Sequence, residues 1–281
     1  MTMPTAVQDR PAAAAESASP PQTGHGYGRT TVWGVPFTPV TYAQSMELID
    51  RQAASETPGY FITANMQYAM LTDRHPELRQ VNEDASFIFA DGMPLVWRSR
   101  SMDTPIPERV AGSDQIYSMA ELASRRGYRM FFLGGAEGVA QEAADTLQQQ
   151  YPDLQVVGVE SPPFRSLSDE EERDLADRIR MARPDILLVA LGQPKGELWI
   201  HRWYRRLGVP LSVQLGGSFN FVTGRISRSP RWVARIGMEW LYRFYREPRR
   251  LGPRYAANWA FLAKALFRDA TCHSLTSANA A

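Results

Sequence analysis

From about residue 30 the chain alternates two patterns. Short, continuous apolar runs alternate with longer stretches in which apolar residues recur every three or four positions. The first pattern predicts buried strands and the second amphipathic helices. The strand runs are GYFITAN (59–65), SFIFADG (86–92), RMFFLGG (129–135), LQVVGVE (154–160), DILLVALG (185–192) and PLSVQLGGSF (210–219). Helical periodicity occupies Tyr42 to about Ser55, Met66 to Asn82, Asp114 to Arg126, Glu137 to Gln150, Ser168 to Ala182 and Lys195 to Leu207. Asp114 is the expected N-cap of its helix. SDEE at 168–171 places acids in a first turn, where the helix dipole favours them. TVWGVPFTPVT (31–41) reads as a short hairpin.

Strands that are apolar throughout, alternating with helices, predict an α/β fold: a Rossmann-like, mainly parallel sheet with helices on both faces. After Arg228 the strand pattern stops, and the chain to about Asp269 reads as a C-terminal helical appendage. The expected organisation is a disordered tail (1–29), an α/β core (30–227), a basic helical appendage (228–269) and a second disordered tail (270–281). Ligands of such sheets lie beyond the carboxyl ends of the strands. Thr63, Asn65, Asp91, Gly134, Gly135, Gln193, Gly216 and Gly217 all fall at those ends, which places the cleft.

Composition narrows the function. A formal net charge of +1 over 281 residues argues against a strongly basic nucleic-acid binder. One cysteine, Cys272, rules out a disulfide within the chain. The N-terminal 26 residues, rich in Ala, Pro, Ser and Gln, lack the basic start and apolar core of a secretory signal. No run approaches the ~20 apolar residues that a bilayer span requires. YAANWAFLAKALF (255–267) reads instead as an amphipathic surface helix. The positive charge is concentrated: between Arg225 and Arg254 stand nine arginines against two acids, Glu239 and Glu247, with aromatics interleaved. Guanidinium groups match diphosphates by paired hydrogen bonds. The segment therefore suits an anionic partner that also has an apolar part.

Several residues carry candidate chemistry. Asp91 ends an apolar strand, where a carboxylate can take a proton from a sugar hydroxyl or simply shape the turn with Gly92. Thr63 and Asn65 share one side of a strand end and suit sugar hydroxyls or an Asx-type turn. Arg109 enters the glycine turn of VAGSD and can bind phosphate or pair with Glu108 or Asp114. LGGAEG (133–138) is a strand-to-helix turn that meets neither the GxGxxG nor the P-loop pattern. GQPKGE (192–197) is a second such turn, carrying Gln193 and Glu197. His201 lies in a helix with mixed apolar spacing and reads as structural. No histidine falls in a metal-ligand spacing, and no DxD pair ends a strand, so no metal or other cofactor is expected.

Five blocks, taken in order, resemble the WecG/TagA/CpsF glycosyltransferases: TAN (63–65), ADG (90–92), RVAGSD (109–114), LGQPKGELWI (191–200) and GGSFNFVTG…RSP…GMEWLYRFYREPRRL…RY (216–255). The resemblance implies a bacterial hexosyltransferase of the cell envelope. It would move a sugar from a UDP-sugar to a polyprenyl-diphosphate-linked sugar, with Asp91 as base and inversion at the anomeric carbon. Thr63, Asn65, Arg109, Gln193, Glu197, Gly216, Gly217 and Asn220 would line the substrate pocket. Arg243, Arg249, Arg250 and Arg254 would meet the diphosphate in place of a metal. A lipid-linked acceptor implies a cytoplasmic enzyme held peripherally at the inner face of the plasma membrane. The oligomeric state stays open. The chain departs from the family pattern at Gly196, where glutamine is usual, and at Asn220, where aspartate is usual. Two other readings are weighed. A nicotinamide-dependent oxidoreductase requires a glycine fingerprint that is missing. A non-catalytic membrane-surface adaptor would retain the fold and basic tail, but has no need of polar groups converging on one cleft.

Overall fold

A computed structural model describes residues 26–163, 165–230 and 239–278. Residues 1–25 of the expected N-terminal tail lie outside it, as do residues 279–281. The chain opens with a hairpin of β1 (Thr30–Val32) and β2 (Val35–Phe37), paired antiparallel. Its two turn residues, Trp33 and Gly34, both have positive φ, the conformation that lets a two-residue turn follow the strand twist.

Six further strands form one parallel sheet in the order β4-β3-β8-β7-β5-β6. They are β3 (Gly59–Ala64), β4 (Phe87–Ala90), β5 (Arg129–Gly134), β6 (Gln155–Glu160), β7 (Ile186–Ala190) and β8 (Leu211–Gln214). Every residue of β3, β4 and β8 is buried, as expected for strands covered on both faces.

Two apolar cores result from the alternation of side chains. Phe61, Phe87, Phe89, Met130, Phe132, Ile186, Leu188, Leu211 and Val213 face one core. That core is closed by α1 (Tyr42–Ala53), α5 (Gly112–Arg126), α6 (Val139–Gln150) and α9 (Ser218–Val222). Tyr60, Ile62, Ile88, Phe131, Leu133, Leu187 and Val189 face the other. It is closed by α2 (Met66–Arg74), α3 (Glu77–Asp84), α4 (Met93–Ser99), α7 (Asp169–Ala182) and α8 (Lys195–Leu207). Helix starts follow local chemistry. Thr41 with Gln44, and Ser168 with Glu171, form reciprocal capping boxes ahead of α1 and α7.

Four expectations change in detail. The predicted helix Met66–Asn82 is two helices, because the residue before a proline is pushed out of the α region: His75, before Pro76, has φ −117° and ψ 93°. α5 begins at Gly112 after an Ala111 cap, so Asp114 lies inside the first turn instead of capping it. The last core strand stops at Gln214, and the chain turns at Gly216, φ +55°, into α9.

The fourth change is at the C-terminus. Residues 231–238 of the expected appendage lie outside the described residues; among those described it contains α10 (Glu239–Arg246) and α11 (Pro248–Ala278), and α11 runs past the expected boundary at Asp269. The reason is that Asp269 is anchored: Arg98 Nε lies 2.6 Å from its carboxylate, and Trp33 Nε1 donates to it at 3.3 Å. Trp33 also packs edge-on against Phe261, with ring centroids 6.0 Å apart. Leu251, Phe261 and Ala265 are buried, and each large side chain so buried stabilises docking by about 1.5–3 kcal/mol. Among the described residues no helix is long and apolar enough to cross a membrane.

Candidate active site

The strand order gathers the sequence candidates. β4, β3, β8 and β7 are neighbours, so Asp91, Thr63 with Asn65, Gly216 with Gly217, and Gln193 follow one another along the carboxyl edge of the sheet. Gly134 at the end of adjacent β5 has φ +98°, and a Cβ there would fall within 3 Å of the Ala190 carbonyl. The turn into α6 thus needs glycine to pass β7, whatever else it binds.

Asp91 and Arg109 are brought together by backbone pairing. Asp91 N donates to Ala64 O at 2.9 Å, and Val110 N donates to Ala90 O at 2.9 Å. The second bond lays the loop before α5 alongside the end of β4. Arg109 Nη1 consequently stands 3.6 Å from Asp91 Oδ1, with both side chains about one quarter exposed. Arg109 Nη2 is also 4.0 Å from Asp114 Oδ2, so the guanidinium lies between two carboxylates.

Asp114 is shared. Arg228 Nη1 donates to its other oxygen at 2.9 Å and Arg228 Nη2 donates to Ser113 O, while the guanidinium lies over the rings of Tyr117 (4.8 Å) and Phe221 (5.9 Å). A row of alternating charge, Arg228–Asp114–Arg109–Asp91, therefore joins the root of the appendage to the end of β4. Sequence reading placed Arg228 only within an arginine run. Its RSP context marked it, but nothing in the sequence named Asp114 as its partner.

Thr63 is buried beneath α5. A Cβ on Gly112 would meet its hydroxyl at 2.9 Å, so that helix start is seated directly on the strand end. Asn65 caps α2, its Oδ1 accepting from Tyr68 N at 3.1 Å. The local role is a helix cap where an Asx-type turn was weighed, and it leaves the side-chain NH2 without a hydrogen bond among the described residues.

The turn from β7 to α8 holds Gln193 and Glu197. Gln193 Nε2 donates to Glu197 Oε1 at 3.0 Å. Glu197 is 1% exposed, and its second oxygen has no partner among the described residues. Burial pushes its carboxyl up to about 7, against the smaller opposing effects of its own backbone amide and Gln193. Glu197 thus lies buried under the turn, tied to it by Gln193. One buried residue that sequence reading missed touches this turn: Gln214, at the end of β8. A long polar side chain closing a central strand that is buried throughout was the available signal.

Gly217 caps α9, and Asn220 lies half-buried within it. Arg249 and Arg254 are exposed on α11, while the side chains of Arg243 and Arg250 lie outside the described residues. His201 bonds Asp84 at 2.8 Å and packs on Tyr60 and Tyr204, a structural role. Among the described residues no three His, Cys, Asp or Glu side chains group as metal ligands.

Comparison with known proteins identifies the family. The family model described as "Glycosyl transferase WecG/TagA/CpsF family" matches residues 30–274. A protein of Bacillus spizizenii named N-acetylglucosaminyldiphosphoundecaprenol N-acetyl-beta-D-mannosaminyltransferase is 30% identical over 191 residues, 68% of this chain and 72% of that protein. Proteins with the same name from Bacillus subtilis and Staphylococcus aureus are 27% and 26% identical, over 78% and 80% of this chain and 84% and 87% of their own lengths. The match extends through the sheet, the strand-end residues and most of the appendage, and on that basis this chain belongs to the WecG/TagA/CpsF family of glycosyltransferases.

Proposed function

We propose that this glycosyltransferase is an inverting hexosyltransferase. It moves a sugar from a UDP-sugar, of N-acetylmannosamine or glucose type, to a polyprenyl-diphosphate-linked monosaccharide during synthesis of a cell-surface or exported polysaccharide. The observation that carries the reading is the Asp91–Arg109 pair at the carboxyl edge of the sheet, next to Asn65 at the end of adjacent β3. The names of the relatives supply the acceptor class, a diphosphoundecaprenol-linked sugar, and N-acetylmannosamine as one donor sugar.

The chemistry follows from charge. The acceptor hydroxyl gives its proton to the Asp91 carboxylate as its oxygen forms a bond to the anomeric carbon. The bond from that carbon to the UDP oxygen breaks on the opposite face, and the electron pair leaves with the diphosphate. Arg109 holds the Asp91 carboxylate in place. Appendage arginines, among them Arg249 and Arg254, offset the charge that grows on the leaving diphosphate, with no metal required. The exposed Trp259, Leu266 and Phe267 on α11, with Tyr245 on α10 and the arginines beside them, suit an anionic bilayer surface, where the lipid-linked acceptor resides.

A donor panel tests the proposal. Purified protein is mixed with polyprenyl-diphosphate-linked N-acetylglucosamine or glucose and a set of UDP-sugars, and UDP release and product mass are recorded. Acceptor-dependent release with one donor, and a product heavier by one hexosyl residue, is the expected result. Silence from folded protein across the panel, beside an active control enzyme, would move the reading to a membrane-surface adaptor.

A further inference from the structure

Gly196 is the second residue of α8, buried where that helix starts against β8. Its φ is not in the left-handed region, so the backbone does not demand a glycine. Space does: a Cβ would fall within 3.0 Å of all three nearest atoms, and all three belong to the Gln214 amide. The volume that a side chain at 196 would claim is filled by a side chain from the neighbouring strand.

Gln214 is 2% exposed, and both ends of its amide can be paired. With the amide assigned the orientation that pairs both ends, its nitrogen donates to Val189 O at 2.8 Å and its oxygen accepts from Gly192 N at 3.0 Å. Both partners belong to the end of β7 and the turn that follows. Gly192 O in turn accepts from Gly196 N at 2.7 Å, which carries the clamp into the first turn of α8. Between these fixed points lies Gln193, which holds Glu197. A buried amide making two good bonds defines one geometry and is costly to disturb, because its backbone partners are left unpaired when it goes.

We propose that Gln214 is the positioning residue for the substrate-binding turn between β7 and α8, and that Gly196 is the space it requires. The two positions form an interlock: a side chain at 196 excludes the amide of 214. The assignment rests on the reading of this turn as part of the sugar-nucleotide cleft.

A double-mutant cycle with two readouts tests it. In the full-length chain without substrate, Gly196→Ala and Gln214→Ala should each raise the hydrogen-exchange rate of the Gly192 amide, while exchange in β7 at Leu188 stays slow. In the transfer assay each should lower kcat/KM for the donor by about 10²-fold, the loss expected of a turn misplaced by an ångström. The double variant should be no worse than Gln214→Ala alone, since the clash disappears with the amide. Gly196→Gln/Gln214→Gly, which returns an amide from the helix side, should recover most of the loss. Gln214→Met keeps the volume without the bonds and separates clamping from packing; it should behave as Gln214→Ala does.

Unchanged Gly192 exchange in Gln214→Ala and Gln214→Met, or single-variant losses that multiply in the double, would overturn the interlock. If the parent protein transfers no sugar, the exchange measurements still decide the clamp, and the failure falls on the functional reading alone.

Discussion

At position 91 one oxygen-for-nitrogen exchange separates a base from a bystander. Asp91→Asn keeps the shape of the turn and the backbone bond to Ala64, but removes the proton acceptor. Turnover should fall by about 10²–10⁴-fold with UDP-sugar affinity, read by calorimetry, little changed. Glu197 carries a different prediction. Its folded-state value near 7 lies above the ordinary carboxylate range, so between about pH 4.3 and 7 the folded chain binds more protons than the unfolded one. Stability must therefore fall as pH rises through that window. Glu197→Gln retains the bond from Gln193 and removes the cost of ionisation. Its Tm should exceed the parent's above pH 7, with the difference vanishing toward pH 4, as scanning calorimetry would show. Chelation by EDTA should leave the transfer rate unaltered; a large loss would reveal a metal that the arginines do not replace. Asp91, Thr63, Asn65 and Arg109 were legible in the sequence because each is a polar residue at the end of an apolar strand or at the start of a helix. The 3.6 Å pairing of Asp91 with Arg109 was not, since it depends on Val110 extending β4.

Among elements, α5 links the site to the appendage. Its first turn holds Asp114 between Arg109 and Arg228, and Arg225 pairs with Glu142 on α6 at 2.7 Å, so the chain leaving the core is fastened at two points. Arg228→Gln should loosen that exit. Limited proteolysis after residue 228 should accelerate, and kcat/KM should drop several-fold through Arg109, while Tm moves by only a few degrees, as expected when one partly exposed pair is lost from a large domain. Intact resistance to protease with normal activity would show that the row of charges is incidental. The alternation of apolar runs sufficed to find the six core strands, because strands buried on both faces read as continuous apolar runs, but it left out the short helices α4 and α9. It did not reveal the break at Pro76, where a periodic sequence continues across a backbone that cannot. Nor did it show that α11 persists to Ala278, because Arg98 and Trp33, which hold Asp269, lie far away in the chain.

The whole molecule is a parallel α/β sheet with a basic, aromatic arm folded against its side. The arm is joined to the core by Phe261 on Trp33, by Asp269 with Arg98, and by Arg268 with Asp73 at 3.2 Å. Its outer side keeps Trp259 and Phe267 exposed. Co-sedimentation with vesicles rich in anionic lipid should therefore be strong at low salt and weaken as salt rises. Arg246→Glu/Arg249→Glu should reduce it by about tenfold or more, each basic residue near such a surface contributing ~1 kcal/mol. Equal binding to neutral vesicles would instead place the attraction in the aromatics. Whether Asp91 activates a lipid-linked acceptor for attack on a nucleotide sugar is decided by acceptor-dependent UDP release from the parent chain and Asp91→Asn side by side, with the donor found by the panel. Release is expected from the parent only when acceptor is present, and it should be lost in a variant that still binds the UDP-sugar. Equal release from both would contradict it.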